Sequence, residues 1–198
     1  CTLKGIKHWL GTKDAIPVRL QEFGAGLGLT PPSTPAFDAS IAKLCRSGTR
    51  LRLYINPTHA LTLYALHWRG KWDAMQAWQR GLVQVVERHR LHGCDVRLHD
   101  FSGFNSITTE ATPLVSGKPD MHYYWEVSHY RDNVGRMILA RLFGGATPPP
   151  ADFGVELTPA NVDAHQAAMR AARERYRVDH ARETAYTERV LDGPLIRR

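Results

Sequence analysis

The chain has 198 residues, 43% of them hydrophobic and 23% charged, the usage of an ordinary globular domain. That composition excludes a disordered or collagen-like polymer, and no stretch approaches the roughly 18 uninterrupted apolar residues of a membrane-spanning helix. Lys and Arg outnumber Asp and Glu by seven, and because residues 151–198 carry eight acids against eight arginines, the surplus lies in residues 1–150. These bases are scattered and not gathered into a stripe. The pattern argues against a nucleic-acid partner and for a solvated basic surface able to face an anionic polymer.

In chain order, Leu3, Ile6 and Leu10 are spaced for one face of a short helix over residues 1–12. Residues 24–36, with Gly24, Gly26, Gly28, Pro31, Pro32 and Pro35, are expected to be loop. Their G-x-G-x-G spacing follows no clear strand and does not match a dinucleotide fingerprint, so no cofactor is expected. Asp38 is placed to cap a helix carrying Ile41, Leu44 and Cys45 and ending at Gly48. Leu51–Ile55 is a β-prone run closed by Asn56-Pro57. Residues 71–92 show helical spacing of Trp72, Met75, Trp78, Leu82 and Val85, ended by Gly93, and a second strand is expected over Asp95–Phe101. Strand, long helix and strand predict a parallel βαβ unit.

Residues 102–119 are polar and irregular, and Met121-His-Tyr-Tyr-Trp125 is a dense aromatic run leading into Glu126-Val-Ser-His129. Asp132 can cap a helix bearing Val134, Ile138 and Leu142 and halted at Gly144-Gly145. The organisation expected is an α/β core over residues 1–147, then a Pro-rich connector. One long helix follows from Thr158-Pro159 to about residue 190, packed on the core through Val162, Met169 and Tyr176.

The chemistry-bearing residues are few. Glu126, three residues before His129, can accept the Nδ1 proton of the imidazole and leave Nε2 as a general base. Trp125, in the aromatic run, is a candidate substrate wall. Asn56 and His59 stand at the C-terminal end of a strand, where open α/β sheets place ligands, and are expected to line the cleft. His89 and His92 read as surface residues at a helix end, so no metal is expected. Cys1, Cys45 and Cys94 lack metal-type spacing. Cys45 and Cys94 allow a bridge without requiring one, and Cys1 reads as an acylated cysteine, an N-terminal nucleophile or a boundary. No Gly-Asp-Ser or G-x-S-x-G turn marks a serine nucleophile.

The succession Leu51–Pro57, long helix, Asp100-Phe-Ser-Gly103, then Tyr124-Trp-Glu-Val-Ser-His-Tyr130 and a helix through Gly135 resembles the C-terminal half of bacterial SGNH (GDSL-like) hydrolase-related proteins. The resemblance covers roughly residues 38–180 and extends to envelope proteins of that superfamily, including the D-alanyl transfer protein of teichoic acid synthesis. It implies a flavodoxin-like parallel sheet with flanking helices. It also implies an acid–base pair, His129 and Glu126, in which glutamate replaces the family's aspartate. The family's nucleophile turn has no counterpart before residue 51. The function expected is therefore that of an ester hydrolase or acyltransferase acting on an envelope polysaccharide or polymer, with this chain carrying the acid–base half of the site. The alternative is a binding or scaffold domain with a decayed site. An extracytoplasmic location, an envelope polymer or acyl donor as partner, and a membrane anchor outside this sequence complete what the resemblance implies.

Overall fold

The computed structural model describes residues 15–25, 34–116, 120–145 and 147–194. The helix expected over residues 1–12, Cys1 and most of the glycine–proline loop lie outside them. In chain order the elements are α1 (Ala15–Gly24), α2 (Thr34–Arg46), β1 (Leu51–Ile55), α3 (Ala60–Trp68), α4 (Trp72–Leu91), β2 (Val96–Asp100) and α5 (Pro113–Ser116). Then come β3 (Tyr124–Glu126), β4 (His129–Tyr130), α6 (Asp132–Phe143), β5 (Val155–Leu157), α7 (Val162–Asp179) and α8 (Ala181–Asp192). No helix among the described residues is long and apolar enough to cross a membrane.

β1 and β2 pair in parallel, from Leu51 opposite Val96 to Ile55 opposite Asp100. A connection running from Asn56 to Asp95 is far longer than a hairpin allows, and it carries the helices a parallel crossover needs. The crossover holds one helix more than its periodicity announces. Residues Ala60–Leu66 of α3 are all buried, so the segment lacks the polar stripe by which a surface helix is recognised.

The sheet is not wholly parallel. β5 joins the other side of β2 in antiparallel register, Leu98 opposite Leu157 and Asp100 opposite Val155, giving the order β1-β2-β5. The direction has a steric origin. After β2 the chain stays at the C-terminal end of the sheet, where Phe101 packs on Phe153 at 4.9 Å, and it enters β5 from that same end. The sheet is therefore mixed, where a parallel one was expected.

One apolar layer joins Leu51, Val96, Leu98 and Leu157 to Ile41 of α2, to Leu82, Val83, Val85 and Val86 of α4, and to Val162. Asp38, expected as a cap, lies inside α2, which begins at Thr34. Cys45 and Cys94 form a disulfide with Cα atoms 5.5 Å apart, pinning the end of α2 to the α4–β2 corner. A second cluster at the C-terminal end of the sheet contains Phe101, Ile107, Met121, Tyr124, Val134, Ile138 and Phe153. A third gathers Ile16, Leu20, Ala60, Leu61, Ala65, Val127, Tyr176 and Leu191.

The single long C-terminal helix is corrected to two. Val162, Met169 and Tyr176 are buried, but the helix breaks at His180 (φ −116°, ψ 37°). The His180 carbonyl there accepts the amides of Glu183 and Thr184, both at 3.0 Å. The break lets α8 bury Thr184, Thr187 and Leu191 against α1 and α3. Neither proline nor glycine marks the site, so helical period alone runs straight through it.

Candidate active site

Glu126 and His129 flank the two-residue turn Val127-Ser128 of the β3–β4 hairpin and are paired across it. Residues so placed present their side chains on one face, about 5 Å apart at Cβ. A spacing of three thus becomes a contact through a hairpin. The Glu126 carboxylate is 1% exposed, and its Oε1 accepts from His129 Nδ1. It also accepts from Ser128 Oγ at 2.7 Å and, on Oε2, from the Ser128 amide at 3.0 Å. A carboxylate only accepts, so Nδ1 carries a proton, and in the neutral imidazole the lone pair is the one on Nε2. Three donors hold the buried charge in place, which is what a buried carboxylate requires.

The hairpin stands at the C-terminal end of β1. Tyr124 Oη donates to the Pro57 carbonyl at 2.8 Å, and the His59 amide donates to the Val127 carbonyl at 3.1 Å. Tyr54 of β1 and Tyr130 of β4 share a hydroxyl–hydroxyl hydrogen bond at 3.3 Å. The Asn56–His59 loop and the Glu126–His129 hairpin are therefore neighbours. Asn56 is exposed, and no hydrogen bond joins its side chain to the pair. Trp125 is half-buried beneath the Arg131 guanidinium, which lies 3.9 Å from its ring centroid.

His59 does not line a cleft, and its expected part in substrate contact is corrected. It is wholly buried, with Nε2 donating to the Glu110 carbonyl at 2.6 Å and Nδ1 accepting the Leu61 amide as the cap of α3. Both ring nitrogens are engaged inside the protein. Burial holds its pKa below the ordinary histidine value, so the ring is kept neutral. The segment 102–112 is more ordered than its polar sequence suggests. Asn105 Oδ1 accepts the amides of Ile107 and Thr108, and Thr108 Oγ1 donates to the Gly103 carbonyl at 2.6 Å. Glu110 then accepts the Tyr123 amide at 2.8 Å, tying this loop to the aromatic run.

Other acid–imidazole pairs were not legible as pairs in the sequence. Asp100 Oδ2 lies 2.9 Å from His165 Nε2 and also accepts Gln79 Nε2, while Oδ1 takes the Ser102 amide and hydroxyl. Glu183 holds His180 Nδ1 at 2.8 Å and takes the amide and hydroxyl of Thr112, both at 2.7 Å. His180-x-x-Glu183 had a readable spacing, but Asp100 and His165 meet only through the fold. Exposure separates these from the hairpin pair. The His129 side chain is 51% exposed, against 13% for His165 and 26% for His180. No described residue bonds His129 Nε2. The serine beside it lies 2.9 Å from Nδ1, the nitrogen already committed to Glu126, so Ser128 orients the pair and is not activated by it.

No family model, curated protein or solved structure matches the chain.

The arrangement is chemically definite. A half-exposed imidazole, held in one tautomer by a buried carboxylate, can remove a proton at Nε2 and be stabilised as imidazolium by that carboxylate.

Proposed function

We propose that the chain carries the acid–base half of an ester hydrolase or acyltransferase site of SGNH type, acting on a cell-envelope polysaccharide or polymer. The observation that carries this reading is the half-exposed imidazole of His129 with its Nδ1 held by the buried Glu126 carboxylate. His129 takes the proton of a serine hydroxyl, and Glu126 stabilises the imidazolium until the proton passes to the leaving alcohol. Asn56, just past the end of β1, and Trp125, in β3, are assigned to the substrate. In a flavodoxin-like frame a further parallel strand would pair with the edge of β1 that no described strand covers. The turn at its C-terminal end would bring the nucleophile towards Nε2. The Cys45–Cys94 disulfide supports an oxidising, extracytoplasmic setting, and the basic surplus of residues 1–150 suits an anionic polymer.

The test is hydrolysis of p-nitrophenyl acetate by the intact gene product. His129→Ala is expected to lower kcat by about 10⁴-fold or more, as loss of a triad base does. Unchanged turnover in that variant overturns the assignment. A second reading rests on one observation: no described hydroxyl or thiol bonds His129 Nε2. It makes the chain a non-catalytic domain that binds the polymer with a decayed site. Polymer binding that survives His129→Ala, with no esterase activity in the intact protein, establishes this second reading.

A further inference from the structure

We propose that Cys45, Cys94 and His89 form a zinc-type metal site once the Cys45–Cys94 disulfide is reduced, with Asp38 holding the imidazole from the far side. The three residues come from separate places: Cys45 from the last turn of α2, His89 from the last turn of α4, and Cys94 from the corner leading into β2. Gly93, at φ +86°, makes that corner, and the Cys94 amide donates back to the His89 carbonyl at 3.1 Å. One ligand atom from each residue lies within 4.8 Å of the others, and all three residues are half-buried. Donors around a tetrahedral zinc ion, with Zn–S about 2.3 Å and Zn–N about 2.0 Å, are roughly 3.5–3.8 Å apart. Side-chain rotation about the opened disulfide covers the difference.

A disulfide by itself requires neither an imidazole nor a carboxylate. Here His89 Nε2 is bonded to Asp38 Oδ1 at 2.6 Å, which leaves Nδ1 for a metal. That is the carboxylate–histidine–metal order by which metal-binding histidines are usually fixed. Arg88 lies 3.5 Å from the same Asp38 oxygen and keeps the carboxylate engaged behind the ring. Three protein ligands leave the fourth position to water.

The chemistry balances. A dithiol reductant gives two electrons and two protons to the disulfide, yielding two cysteine thiols and the reductant's own disulfide. A divalent cation then displaces both thiol protons to solvent and binds the two thiolates. The bridge and the metal are mutually exclusive occupants of one corner, and each ties α2 to the α4–β2 turn. Metal binding therefore favours the reduced protein by mass action.

The experiment uses the full chain with Cys1→Ser, reduced by a phosphine, freed of metal and titrated with Co²⁺. One equivalent is expected to bind with a thiolate-to-cobalt charge-transfer band and the intense visible bands of tetrahedral cobalt, both removed by Zn²⁺. The oxidised protein is expected to show neither band. Asp38→Asn should weaken zinc binding about 10–100-fold, and His89→Ala should weaken it further and change the visible bands. Far-ultraviolet circular dichroism establishes that each reduced variant is folded. A folded, reduced protein without the charge-transfer band overturns the site, and so does an affinity indifferent to His89→Ala.

Discussion

A carboxylate and an imidazole three residues apart meet in this protein because the two residues between them make a hairpin turn, which sets Glu126 and His129 side by side. Their roles differ because their exposures do, and each substitution has its own expected signature. Glu126→Gln keeps the volume and one acceptor but loses the charge, so under the proposed esterase function kcat is expected to fall about 10⁴-fold with little change in KM. Ser128→Ala removes one of three donors to the carboxylate and should cost much less, roughly 10-fold; a steady-state comparison of the two variants checks the order. His59 teaches a different lesson. Burial lowers the pKa of His59, and also of His67 and His99, below the ordinary value. The folded state thus takes up protons less readily than the unfolded chain. The stability these rings provide is full above about pH 6.5 and is lost as pH falls below it. Thermal melts from pH 7.5 to pH 5 should show a falling Tm. His59→Asn, which can still cap α3, should flatten that fall while lowering stability at pH 7.5.

At the scale of elements, legibility followed the local signal. β1, β2 and α4 were readable because β-prone runs and an amphipathic period belong to the segments themselves. α3 was not, since a helix buried on every side has no polar face to announce it. β3 and β4 are too short to carry a local signal, and their hairpin is tied to β1 and the loop after it by the Tyr54–Tyr130 and Tyr124–Pro57 hydrogen bonds. β5 depends on one glycine. Gly154 sits at φ +90°, and a Cβ there would lie 2.4 Å from Phe101 Cε1. Gly154→Ala combines a disfavoured backbone conformation with an overpacked aromatic contact, so a loss of about 2–4 kcal/mol is expected. Urea unfolding gives that loss directly, and an unchanged midpoint would mean that β5 does not rest on Phe101 as described.

For the whole molecule, the disulfide links residues 49 apart in sequence. A loop of that size corresponds to about 4 kcal/mol in the chain-entropy description, with about 2–4 kcal/mol typical of measured bridges. Cys94→Ser is expected to lower unfolding stability by that amount, and reductant added to the wild-type protein should reproduce the effect while leaving the variant unaltered. The amino-acid sequence by itself determined the strand–helix–strand succession, the parallel pairing of β1 with β2, and the spacing of an acid three residues before a histidine. Each of these rests on spacing within a segment or on the length of one connection. Tertiary structure alone decided the antiparallel course of β5, the break at His180, the burial of His59, the Asp100–His165 contact and the joining of Cys45 to Cys94. Those outcomes depend on which distant surfaces meet and exclude water, and the same local sequence is compatible with more than one such meeting.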